Sequence, residues 1–286
     1  MNGIILIDKP RDWTSHDVVG KLRRLLKERR IGHSGTLDPM ATGLLVVFVG
    51  RATRAVEFAE GDAKQYIAGL RLGLETDTQD TTGTVLQTYE NHVTEEQLRA
   101  ALPVFTGPIS QVPPMYSALK VNGQKLCDLA RKGKEVERKP RTITIYKLEC
   151  LEFSGETAKL YIHCSKGTYI RTLCKDIGAA LGCGGCMESL RRVSAGSYTI
   201  EEAIPLAQLV ESTEPEKYLR GVDTLFAEHS AVTLTEKQEL RCKNGNSFSV
   251  NLTDGTYRAY SQSGEFLMLA KVDAGTMSTI KSFFEV

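Results

Sequence analysis

Apolar and polar positions along this chain follow two different rhythms. Gly3–Asp8 (GIILID) and Leu44–Val49 (LLVVFV) are short, nearly unbroken apolar runs, the pattern of strands covered on both faces. Tyr66–Gly73 is a further strand, and Arg141–Phe153 and Thr157–Ser165 flank Ser154-Gly155-Glu156 as a hairpin. Helical spacing appears elsewhere. Val18, Val19, Leu22, Leu25 and Leu26 share one helix face after a cap at Thr14 or Ser15. Thr94-Glu95-Glu96-Gln97 is a capping box that opens a helix carrying Leu98, Ala101, Leu102 and Phe105. A short helix is expected over Gln124–Lys132, ended by Gly133, and another is marked by Ile170, Leu173, Ile177 and Leu181. Ile31–Gly43 (IGHSGTLDPMATG) fits neither rhythm and reads as a loop, and Asp77–Gly83 reads as a turn-rich connector. Beyond Pro205 the composition changes. Residues 211–229 read as an acidic, irregular linker. Residues 230–286 carry strand-like pieces at Ser247–Val250, Tyr257–Tyr260 and Phe266–Val272, separated by Asn-Gly, Asp-Gly and Ser-Gly turns. These patterns predict two domains, 1–229 and a β-rich module over 230–286.

Composition narrows the class. The 286 residues are 41% hydrophobic and 25% charged, which suits a folded chain and argues against disorder. No apolar run approaches the about 18 to 20 residues of a membrane span. The N-terminus has no signal-peptide pattern, so a cytoplasmic location is expected. Seven scattered cysteines do not suit a disulfide framework, and the lone pair Cys183/Cys186 lacks the second ligand pair of a zinc site. The net charge of +1 conceals an uneven distribution. Lys21–Arg30 holds six basic residues and one acid, and Lys120–Lys147 holds nine and three. Glu57–Glu96 reverses the balance, with nine acids against two bases. Such segregation can give a basic face for a polyanion, although a charge run can equally be a solvated surface.

Two segments offer chemistry. In the glycine-rich loop, Asp38 stands between Leu37 and Pro39, and the proline biases it toward an extended conformation. Such a carboxylate could be a nucleophile or a base, or it could simply form a turn. In Ser165–Leu173 (SKGTYIRTL), Gly167 turns the chain and Tyr169 and Arg171 head a helix. Arg171 presents a planar fork suited to a carboxylate or phosphate, though a surface arginine is also compatible with the pattern. Nucleotide-binding glycine motifs (GxxxxGK[ST], GxGxxG) are absent.

Gly32–Leu45 (GHSGTLDPMATGLL) resembles the catalytic motif of the bacterial TruB family of tRNA pseudouridine-55 synthases. GIILIDKPRDWTSHDVV, KQYIAGLRLGLETDTQD, QVPPMYSALKVNGQKLCDLARKG, HCSKGTYIRTLCKDIGAALGCG and SLRRVSAG resemble the same family in order and spacing, over about Gly3–Leu209. The resemblance implies a mixed α/β (α+β) pseudouridine synthase fold on a largely antiparallel central sheet, with a small PUA-like RNA-binding module at the C-terminus. It implies an isomerase acting on the uridine at position 55 in the tRNA T loop. No metal or other cofactor would be required, because atoms are conserved. Asp38 is then the catalytic aspartate, Arg171 its partner and Tyr66 the residue stacking on the target base. Tyr169 and Leu190 would line the uracil pocket, and His33 would fill the space left by the extruded base. The basic stretch becomes an insertion closing on the T arm, with Lys125, Arg131, Lys132, Lys134 and Arg138 facing phosphates. Lys9-Pro10 becomes support for the active-site floor. A monomer needing no protein partner is expected. The alternatives are a synthase acting on another RNA and a non-catalytic tRNA-folding or RNA-binding protein.

Overall fold

The computed structural model describes residues 1–61, 63–121 and 123–284, with all of their side chains except those of Lys120 and Lys125. The first half runs β1 (Gly3–Lys9), α1 (Ser15–Leu25), β2 (Ile31–Ser34), β3 (Thr42–Val49), α2 (Val56–Glu60), β4 (Lys64–Leu72), β5 (Leu74–Thr76), β6 (Val85–Thr88), α3 (Glu95–Ala101), β7 (Gly107–Gln111), β8 (Lys120–Val121), β9 (Gln124–Lys125) and α4 (Leu126–Ala130). It continues with β10 (Arg141–Phe153), β11 (Thr157–Cys164), α5 (Ile170–Ala180), β12 (Gly185–Ala195), β13 (Tyr198–Thr199), β14 (Ile204–Pro205) and α6 (Leu206–Glu211). The central sheet is ordered β14-β1-β3-β12-β4-β11-β10-β7, with β2 on β3 and β13 on β12. Pairing is antiparallel except where β1 meets β14 and β12 meets β3, as the resemblance implied.

The two rhythms correspond to two kinds of burial. β1 and β3 are covered on both faces. Ile5, Ile7, Leu45 and Val47 pack under Val18, Val19 and Leu22 of α1. Ile4, Leu6, Leu44, Val46 and Phe48 pack on the opposite side with Ala52, Ala55 and Phe226. A strand with no wet face has no reason to alternate. β4 alternates strictly between buried and half-buried residues. Its Tyr66, Ala68, Leu70 and Leu72 join Leu173 and Ile177 of α5 and Leu98 of α3 in the largest core.

Thr14, not Ser15, caps α1. Its hydroxyl accepts from Asp17 N (3.0 Å), and Asp17 returns a carboxylate to Thr14 N (2.9 Å). Three other expectations are corrected. Ile31–Ser34 is not loop but strand β2, because it pairs with Val46–Val49 of β3; Thr42 and Gly43 also belong to β3. The helix expected over Gln124–Lys132 shrinks to Leu126–Ala130, since Gln124–Lys125 pair with Lys120–Val121. Residues 211–229 are not a free linker. Arg220 bridges to Ile4, and Val222 and Phe226 are buried in the core.

From Ser230 a second sheet forms: β15 (Ser230–Thr233), α7 (Glu236–Lys243), β16 (Phe248–Ser249), β17 (Gly255–Tyr260), β18 (Phe266–Asp273) and β19 (Thr276–Ser282), ordered β15-β17-β18-β19-β16. It has its own core around Leu234, Leu267, Met268 and Val272. It is also fastened to the rest of the chain. Phe226 touches Phe58, Phe266 and Phe283, Arg54 donates to Ser282 O (2.9 Å), and Lys281 pairs with Glu57. Among the described residues no helix is long and apolar enough to cross a membrane.

Candidate active site

The Asp38 loop is held from beneath. Lys9, fully buried at the end of β1, donates from Nζ to the carbonyls of Pro10 (2.8 Å), Trp13 (2.5 Å) and Pro39 (3.3 Å). Burial pushes its ammonium down to about 8, with Asp38 pulling the other way. Ser15 Oγ accepts from Leu37 N (2.9 Å), and Leu37 and Met40 are buried in the main core. Gly35 and Gly43 both lie at positive φ (68° and 99°). A side chain at Gly43 would sit 2.3 Å from Arg192 O, so the start of β3 can lie against β12 only through glycine. Asp38 is thus carried on a backbone fixed on both sides.

Arg171, in the first turn of α5, grips this carboxylate with two nitrogens. Nε stands 3.1 Å from Asp38 Oδ2, and Nη2 stands 3.4 Å from Oδ1. The guanidinium is itself buried and oriented. Nη2 donates to Tyr116 O (2.6 Å), Nη1 donates to Thr78 O (3.1 Å), and Nη1 lies 3.7 Å from Asp80 Oδ2. Asp80, also buried, accepts on Oδ1 from both hydroxyls of Thr78 and Thr82 and from Thr82 N. One arginine therefore serves two carboxylates. Burial lifts the Asp38 carboxyl above the usual carboxylate range; Arg171 pulls it back, Asp80 adds to the rise and Lys9 opposes it. The pairing with Arg171 expected to favour the ionised form is present, but desolvation outweighs it.

The six residues assigned to catalysis or to substrate binding, His33, Asp38, Tyr66, Tyr169, Arg171 and Leu190, line one cavity of about 720 Å³. Tyr66 on β4 is buried opposite Arg192 of β12. Burial pushes its hydroxyl pKa up, and the neighbouring Arg192 pulls it back. Burial and Arg192 together lower the His33 pKa, which favours neutral imidazole, and His33 Nδ1 is buried without a hydrogen-bond partner.

Arg192 itself escaped the sequence reading. It is 1% exposed and donates from Nε to Leu44 O (2.7 Å) and from Nη2 to Gly35 O (2.9 Å), placing a fixed positive charge in the cavity wall. The signal was present in consecutive arginines on a strand, which must face opposite sides. Arg191 points the other way, to Asp8 at 2.7 Å. Asp80 was missed for a different reason, because DTQDTTG reads simply as turn chemistry.

The basic insertion divides. Arg131, Lys132 and Lys134 are exposed, Arg131 3.7 Å from Asp128. The Lys125 side chain lies outside the described residues. Arg138 does not match its assignment to an RNA phosphate. Its side chain is only 20% exposed, is turned into the protein, and donates to Pro113 O (3.4 Å) and Glu135 (3.0 Å). Cys183 and Cys186 are buried free thiols, and no group of three metal-ligating side chains occurs among the described residues.

The family model for the N-terminal domain of TruB family pseudouridylate synthases matches residues 23–170, more than half of the chain. The chain belongs to the TruB family. A second model, the tRNA pseudouridylate synthase B C-terminal domain, matches residues 171–224. A tRNA pseudouridine synthase B of Francisella philomiragia is 41% identical over all of this chain and 95% of its own length. Another, of Clostridium kluyveri, is 42% identical over 93% of this chain and 94% of its own. Among solved structures, a Cbf5–Nop10–Gar1 complex aligns with a TM-score of 0.74 at 25% identity, over 99% of this chain and 85% of that one.

Proposed function

We propose that this TruB-family protein converts uridine 55 in the T loop of tRNA to pseudouridine. The observation that carries the reading is the convergence of Asp38, Arg171 and Tyr66 in one cavity large enough for a nucleobase. The substrate follows from the two tRNA pseudouridine synthase B relatives, which match nearly end to end. The Cbf5 structure was determined with protein partners, and a synthase acting on another RNA remains the second reading.

The target base must leave the T-loop stack to reach a cavity. Tyr66 stacks on the extruded uracil, Tyr169 and Leu190 flank it, and His33 enters the space it vacates. Asp38 acts as the ionised carboxylate on the nucleoside, oriented by Arg171. The N1–C1′ bond breaks, the ring turns, C5 bonds to C1′, C5 gives up its proton and N1 gains one. Tyr66 holds its own proton firmly and so relays the C5 proton rather than storing a charge. The balance of atoms and electrons closes within the nucleoside and these side chains, so the reaction calls for no redox group, metal or nucleotide. Arg131, Lys132 and Lys134 meet T-arm phosphates, and the five-stranded C-terminal module adds a further RNA contact. The protein acts as a cytoplasmic monomer without a protein partner.

The test is tritium release from a T-arm RNA carrying 5-tritiated uridine at position 55, with purified protein alone and with EDTA present. Stoichiometric release supports the reading. Release that vanishes with EDTA, or that appears only when a second protein is added, contradicts it.

A further inference from the structure

Besides His33 Nδ1, only one buried side-chain polar atom in the cavity lacks a hydrogen bond among the described residues: Ser117 Oγ. Ser117 is 5% exposed. Its backbone is fully engaged. Ser117 N donates to Met115 O (2.9 Å), Cys127 N donates to Ser117 O (3.0 Å), and the carbonyl just before it, Tyr116 O, receives Arg171 Nη2. The Tyr169 hydroxyl is near enough for Ser117 to ease its ionisation, yet no hydrogen bond closes between them. A hydroxyl left unpaired in a buried place costs stability, and such groups are rare unless a ligand supplies the partner.

The chemistry of the reaction indicates that partner. When uracil turns to exchange N1 for C5, C2 and C4 exchange places as well, while N3 stays on the axis. A carbonyl oxygen therefore occupies the same position before and after the turn: O4 in uridine and O2 in pseudouridine. One fixed hydroxyl donor beside that position holds the ring in register at both ends of the reaction.

We propose that Ser117 Oγ donates a hydrogen bond to this carbonyl, O4 of the substrate and O2 of the product, making Ser117 a binding residue of the uracil pocket. The proposal rests on the uridine-isomerising reading above.

A binding cycle tests it, run with the full chain in an Asp38→Asn background so that no turnover intrudes. T-arm RNA carries either uridine or 4-thiouridine, in which sulfur, a poor acceptor, replaces O4 while N3–H is kept, at the target position. Loss of the hydroxyl (Ser117→Ala) or of O4 should each weaken binding about fivefold, the scale of one hydrogen bond. Both losses together should cost no more than one. Independent losses multiplying to about 25-fold, or no effect of Ser117→Ala on the uridine RNA, would overturn the proposal. Thermal melting of the free protein provides a second arm. Ser117→Ala removes an unpaired polar atom, so its Tm should equal or exceed that of its parent; a Tm several degrees lower would show a structural hydroxyl and overturn the proposal too. Turnover of the uridine RNA by wild type separates the two claims. Without it the underlying reading fails; with it and an additive cycle, only the Ser117 assignment fails.

Discussion

Arg171 Nη1 lies 3.7 Å from Asp80 Oδ2 while Nε of the same guanidinium lies 3.1 Å from Asp38 Oδ2. The carboxylate facing the cavity and the one behind it thus share one buried cation. Asp80 also helps raise the Asp38 carboxyl. Asp80→Asn should therefore move the acid limb of the single-turnover pH–rate profile to lower pH. The rate at neutral pH should fall as well, because Arg171 loses one of the groups that orient it. A limb that stays in place, or moves upward, would contradict this coupling.

Asp38 carries a stability consequence of definite sign. Its folded carboxyl is raised above an unfolded value of about 3.9. The folded state then holds the proton more tightly, so ionising Asp38 costs stability as pH rises through the interval between those two values. Asp38→Asn removes that cost. The Tm of the variant relative to wild type should be higher at pH 7 than at pH 4, which melting at the two pH values checks.

Lys9 ties three carbonyls together beneath the loop. Lys9→Met should cost roughly 3 kcal/mol of folding stability, because the buried acceptors are left unpaired. The activity that remains should fall even where the variant is fully folded, since Pro39 is released beside Asp38. Urea unfolding together with single-turnover rates separates the two effects.

The insertion yields a contrast between neighbours. Removing Arg131 and Lys132 together should weaken T-arm binding and lower the log–log salt slope by roughly 0.7 to 0.9 per lost phosphate contact. Arg138→Ala should instead lower the Tm and leave the slope unchanged, because its guanidinium points to Pro113 and Glu135. A slope change at Arg138 would return it to the RNA surface.

The sequence made much of this legible, for physical reasons. β1 and β3 could be read because burial on both faces leaves an apolar run, and the capping box at Thr94 announces a helix start through short-range bonds. Asp38, Tyr66 and Arg171 lie in separate segments, and only resemblance to the TruB family could bring them together before the fold did. Three features depend on long-range contacts and stayed hidden. Ile31–Ser34 is a strand only because β3 lies beside it, and Phe226 is core because distant segments, Phe58 of α2 and Phe266 and Phe283 of the C-terminal module, meet on it. Arg138 looked like its exposed neighbours until its side chain was seen turned inward.

The central claim is that Asp38 performs chemistry in a cavity that binds uridine 55 of tRNA. Primer-extension mapping of pseudouridine in a T-arm RNA, with binding measured on the same samples for wild type and Asp38→Asn, tests it most directly. The variant is close to the native side chain in shape and lacks only the charge. Wild type should place pseudouridine at position 55, and Asp38→Asn should yield none while binding within a few-fold of wild type. Turnover by Asp38→Asn within tenfold of wild type would contradict the account.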